Sequence, residues 1–113
     1  MAPTIDELIL TTMPQAFVSA QAQDVRATVQ FDFSLDGGGQ YVVAIADGKC
    51  ETRAGRVDQP DATILTSQAT YLAVAEGRTN AMTAFMTGQL RVTGNLPLLM
   101  RFQQMFNFSS SYP

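Results

Sequence analysis

The chain switches between two hydrophobic periods, and the switches mark out its elements. From Ala27 the period is two. Val29, Phe31, Phe33 and Leu35 alternate with Thr28, Gln30, Asp32 and Ser34, which predicts a half-buried strand. A glycine-rich turn follows at Asp36-Gly37-Gly38-Gly39. Tyr41, Val43 and Ile45 then alternate with Val42, Ala44 and Ala46 as a second strand. Asp47-Gly48 predicts a two-residue hairpin, because both central positions of that turn want positive φ. The third strand, Lys49–Ala54, turns Lys49, Glu51 and Arg53 outward and Cys50, Thr52 and Ala54 inward. Its charged face and modest length suit a sheet edge. After a polar loop over 55–61, Ala62–Thr66 reads as a short strand with Ile64 inward.

Helical spacing governs the ends of the chain. Thr4 and Glu7 form a capping box for a helix through Ile5, Leu8 and Ile9 to about Thr12. Pro14 predicts a break or kink near Met13. A short second turn is expected over 16–22, with Phe17 anchored inward. Ser67 caps a helix through Tyr71, Leu72 and Ala75, ended by Gly77. Asn80 caps the next, with Met82, Phe85 and Met86 as its apolar face and Gly88 at its end. Residues 89–93 form a strand with Leu90 and Val92 inward. Gly94 breaks it, Asn95 caps the last helix, and Pro97 sits harmlessly in the first turn. Leu99, Phe102, Met105 and Phe106 make the apolar stripe of that helix. The order α-β-β-β-β-α-α-β-α segregates strands from helices in part, which points to an α+β fold. One domain is expected over 1–107, followed by a flexible serine-rich tail, 108–113.

Composition narrows what such a domain can do. With 46% hydrophobic and 15% charged residues, the 113-residue chain has enough apolar content for one core. Its net charge of −3, without a basic run, argues against nucleic acid as a partner and against charge-driven docking on anionic membranes. The single cysteine, Cys50, precludes an internal disulfide. An acidic start, no bilayer-length apolar run and a Ser111-Tyr112-Pro113 end that is not a peroxisomal address make the cytoplasm the expected location.

Candidate catalysts are scarce. The chain has no histidine, which removes the commonest general base and metal ligand. No zinc spacing, Walker loop or dinucleotide fingerprint occurs, so no metal or cofactor is expected. Cys50 lacks an activating histidine and reads as a small buried hydrophobe. Asp32 is the one base worth naming, on the outer strand face where carboxylates are usually only solvated. Tyr41, on the inner face, either packs in the core or donates a hydrogen bond to a ligand. What remains is soft apolar content in the last third: four of six methionines, Met82, Met86, Met100 and Met105, lie after residue 80. Such stripes either fill a core or leave a cavity for varied apolar shapes.

Four segments carry a family resemblance. Residues 85–106, Phe-Met-Thr-Gly-Gln-Leu-Arg-Val-Thr-Gly-Asn-Leu-Pro-Leu-Leu-Met-Arg-Phe-Gln-Gln-Met-Phe, resemble the C-terminal signature of the SCP2 sterol-transfer family. Pro60-Asp61-Ala62-Thr63-Ile64 is similar to its fourth strand, Ala75-Glu76-Gly77-Arg78 to a helix end, and Met13-Pro14-Gln15-Ala16-Phe17 to its entry segment. They stand in the family's order, and the similarity covers roughly residues 5–106.

The resemblance implies a five-stranded, mostly antiparallel mixed sheet covered on one face by helices. It also implies a crossover from the third to the fourth strand and an apolar tunnel under the helices. Members of that family bind fatty acids, fatty acyl-CoA, phospholipids or sterols and have no catalytic residues. By position, the implied tunnel lining is Met82, Phe85, Met86, Leu99, Phe102, Met105 and Phe106, with Phe31, Phe33, Val43 and Ile45 as floor. Arg78 and Arg101 are the head-group candidates. A free-standing bacterial member is expected, with sterol the less natural ligand. The partner would be a lipid or other apolar small molecule, with transient membrane contact. An accessory module that meets a protein partner or a second copy, and an enzyme using Asp32 as base, are the competing readings.

Overall fold

The computed structural model describes residues 4–106, the Gln103 side chain excepted; the expected tail at 108–113 lies outside them. Five strands form one sheet: β1 (Ala27–Asp32), β2 (Gln40–Ala46), β3 (Lys49–Ala54), β4 (Ala62–Thr66) and β5 (Leu90–Gly94). Their order is β3-β2-β1-β4-β5. The β1–β4 pair is parallel and the other pairs are antiparallel. The crossover from β3 to β4 therefore carries the chain from one edge, past β2 and β1, to the far side of β1. The β2–β3 turn takes φ 55° at Asp47 and 72° at Gly48, the left-handed pair its sequence predicts.

Register decides which side chains share a face. Val29, Val43, Thr52 and Ala62 align across the sheet, as do Phe31, Tyr41 and Ile64. Ile64 and Thr66 continue the face onto Val92 and Leu90 of β5. The helices cover this face: α3 (Gln68–Ala75), α4 (Ala81–Met86), α5 (Leu96–Gln104) and an N-terminal run. Ser67, Asn80 and Asn95 cap α3, α4 and α5 by accepting backbone N–H bonds on their side-chain oxygens.

The N-terminal run departs from expectation. Thr4 caps it, its hydroxyl accepting from the Glu7 N–H at 3.1 Å. The helix does not break at Met13. It continues as α1 (Ile5–Glu7), a π-helical turn over Leu8–Thr12, and α2 (Met13–Ala16). The Met13 N–H reaches back five residues to the Leu8 carbonyl. Pro14 has no N–H to donate, and its ring would crowd the carbonyl four residues back; the wider π turn relieves both problems. Leu8, Ile9 and Met13 are consequently all fully buried. The second turn is a 3₁₀ segment at Ser19–Gln21, and Phe17 is half-buried in a bridge with Phe106.

β1 also ends earlier than its alternation suggests. The Asp32 carboxylate accepts from the Ser34 N–H at 2.9 Å and turns the chain into a 3₁₀ segment, Ser34–Asp36. Phe33 stays buried, whereas Leu35 is 61% exposed rather than inward. On β3, Ala54 is likewise exposed and Cys50 only half-buried, as befits an edge strand. The sheet's other face is partly roofed by the 55–61 loop, which the sequence did not suggest. Gln30 pins it: its amide nitrogen donates to the carbonyls of Phe31, Tyr41 and Gly55, and its carbonyl accepts from the Val57 N–H. Val42 is buried on that same face.

Candidate functional site

The two halves of the covered face are packed differently. Over β1 and β2 an aromatic cluster interlocks. Phe31 stacks on Phe33 at 5.7 Å and meets the edge of Tyr71 at 5.0 Å and Phe102 at 6.1 Å; Phe33 meets Tyr41 at 5.9 Å. The Tyr41 hydroxyl donates to Asp6 of α1 at 2.9 Å, so it belongs to the core and its helix contact. Burial, and then the Asp6 carboxylate, push the Tyr41 phenol above its usual range.

Over β4 and β5 the packing stays open. Helix α4 turns Ala81 and Ala84 toward the protein, Ala84 fully buried and Ala81 bordering the open space. Its larger side chains are deployed elsewhere: Met82 and Phe85 at the rim, Met86 outward at 78% exposure. The result is a cavity of about 380 Å³, a volume typical of small-molecule sites. Its floor is Ile64, Leu90 and Val92; its walls include Tyr71 and Val74 of α3 and Leu96, Leu99, Met100 and Phe102 of α5. The α3–α4 connection contributes Gly77, Thr79 and Asn80.

Five expected lining residues are therefore at the cavity: Met82, Phe85, Leu99, Phe102 and Phe106. Met105 is fully buried behind it, and Met86 faces away from it. The expected floor is displaced. Phe31, Phe33, Val43 and Ile45 are buried under the aromatic cluster and the N-terminal helix, and do not line the void. The true floor, on β4 and β5, had a sequence signal in the inward positions Ile64, Leu90 and Val92. Recognising it required knowing which strands lie under α4 and α5.

Neither head-group candidate lines the cavity. Arg78 pairs with Glu76 at 2.7 Å and Arg101 with Asp24 at 2.6 Å, both at the surface. Asp32 lies on the opposite face of the sheet from the helices, in register with Gln40 and Leu65. Hydrogen bonds from Ser34 hold its carboxyl below the usual range, and Gln40 donates to it as well. A carboxylate so placed has no access to the cavity. Burial raises the Cys50 thiol to about 12, so it is not a nucleophile near neutral pH.

A sheet covered on one face by helices, with an open apolar cavity beneath the last two, is the architecture of a binding domain for apolar small molecules. The SCP-2 sterol transfer family model matches residues 8–107, and the chain belongs to that family. Human sterol carrier protein 2 is 32% identical over 65 residues, 58% of this chain but only 12% of that protein's length. Solved structures share the fold, among them the following two. The sec-alkylsulfatase Pisa1 from Pseudomonas sp. superimposes with a TM-score of 0.76 at 18% identity, covering 84% of this chain and 15% of the enzyme. Palmitated SCP2L2 from Aedes aegypti gives 0.70 at 19% identity, with 88% of both chains covered. Among the described residues no helix is long and apolar enough to cross a membrane.

Proposed function

We propose that this chain is a non-catalytic lipid-binding domain that holds the apolar part of its cargo between α4, α5 and the β4–β5 floor. The cargo class is that of the family: fatty acid, fatty acyl-CoA, phospholipid or a sterol-like molecule. The open cavity is the observation that carries this reading, because a core meant only for stability closes such a space. Family membership and the palmitated state of the Aedes aegypti structure support the same class. Each methylene taken from water contributes about 0.8 kcal/mol. A tail of about sixteen carbons then gains on the order of 10 kcal/mol gross, less the cost of ordering it. Native mass spectrometry of freshly purified protein is expected to show co-purified lipid, and delipidated protein is expected to take lipid up again. Apo-protein that takes up no lipid of any class contradicts the proposal.

A second reading has one observation in its favour. The similar region of the sec-alkylsulfatase is only 15% of that chain, so the fold also occurs as a minor part of a larger enzyme. In that reading this domain acts as an accessory module, and pull-down yields a protein partner with no bound lipid.

A further inference from the structure

We infer that a wall of aromatic rings, Tyr71 and Phe102 backed by Phe31, closes the inner end of the cavity and sets how long an apolar tail the domain favours. This rests on the lipid-binding reading and deepens it.

The cavity has an exposed end and a buried end. Of its lining residues, Met82, Phe85, Leu96 and Met100 are exposed, whereas Ile64, Tyr71 and Phe102 are buried. A tail whose polar head stays in water enters past the exposed side chains and points its last carbons at the buried rings.

Register shows why the space stops there. Ile64 on the cavity floor pairs with Phe31 of the next strand, β1. Phe31 is fully buried and does not line the cavity. Tyr71 from α3 and Phe102 from α5 both meet its ring, at 5.0 Å and 6.1 Å between centroids. On the far side Phe33 stacks on Phe31 at 5.7 Å and packs against Tyr71 and Tyr41, each at 5.9 Å. Rings packed this closely yield little. A tail longer than the distance to the wall leaves its extra methylenes at the exposed end, where they bury less area. Phe31 is thus a positioning residue: it holds from behind the two rings that meet the cargo.

Two measurements on delipidated protein test the wall. In the first, the saturated fatty acids from octanoate to stearate compete with one fluorescent lipid. Affinity is expected to rise about fourfold for each added methylene up to a break, and far less beyond it. Phe31→Leu lets the rings retreat, so the break moves to a longer acid and the affinity of stearate relative to octanoate rises several-fold. Ile45→Val loosens the closed half of the core away from the cavity and leaves that ratio unchanged. In the second, palmitate isotope-labelled at its terminal methyl is bound to the parent protein. That methyl is expected to show NOE contacts to the rings of Tyr71 and Phe102. If Phe31→Leu does not fold, these contacts decide alone. A ratio unchanged in folded Phe31→Leu, a ratio raised equally by Ile45→Val, or a terminal methyl that contacts Met82 and Met100 but neither ring overturns the inference and leaves lipid binding intact. Failure to take up lipid of any class overturns both.

Discussion

At the scale of single residues, polar side chains fix the connections that hydrophobic pattern leaves free. The Gln30 side chain ties the 55–61 loop to the strands, donating to the Phe31, Tyr41 and Gly55 carbonyls and accepting from the Val57 N–H. Asp36 does the same at a distance. Its carboxylate accepts the Gln68 N–H at 2.9 Å and the Ala69 N–H at 3.4 Å, so the β1–β2 loop is fastened to the start of α3. The Gln68 N–H above all holds the Asp36 carboxyl below its ordinary 3.8. A carboxyl lowered in the folded state stabilises above its unfolded value, and that contribution fades as pH falls through the folded one. Asp36→Ala is thus expected to lower the melting temperature at neutral pH. Its difference from the parent should shrink as the pH drops below about 4 in a thermal melt series. A difference constant down to acid pH would show that the charge is not what acts.

At the scale of elements, much was legible in the sequence. The caps Thr4, Ser67, Asn80 and Asn95, the Asp47-Gly48 hairpin and the period-two strands all declare themselves locally, because each rests on neighbours within four residues. What failed was decided from afar. Leu35 continues the alternation of β1, but the Asp32 and Asp36 carboxylates redirect that segment toward a turn and toward α3. Pro14 reads as a break or kink near Met13, but does not reveal the form it takes: the helix runs on through a π turn over Leu8–Thr12, with Leu8, Ile9 and Met13 buried. Met86 has helical spacing with Met82, but α4 turns its alanines inward. The β4–β5 pairing has its own local device: Gly94, at φ 93°, sits where a Cβ would lie 2.6 Å from the Asp61 carbonyl oxygen. Gly94→Ala is expected to destabilise the fold by about 1–3 kcal/mol in urea denaturation. A neutral result would show that the backbone relaxes freely there.

At the scale of the molecule, the division of the sheet explains why there is a cavity and why it lies where it does. Large aromatics close the β1–β2 half, and small side chains on α4 leave the β4–β5 half open. The sequence disclosed two of the helices that border the space, α4 and α5, since their apolar residues cluster after Asn80; it did not disclose α3, whose Tyr71 and Val74 form a wall. It did not disclose the floor, because strand order is a property of long-range pairing. Methionine methyl NMR during titration with an uncharged lipid reads this arrangement directly, since the methionines sample both sides of the boundary. Met82 and Met100 line the cavity, whereas Met13 is buried away from it and Met86 faces out. Saturable shifts at Met82 and Met100, with Met13 and Met86 unmoved, are the predicted result; shifts confined to Met13 or Met86, or none at saturation, would contradict it.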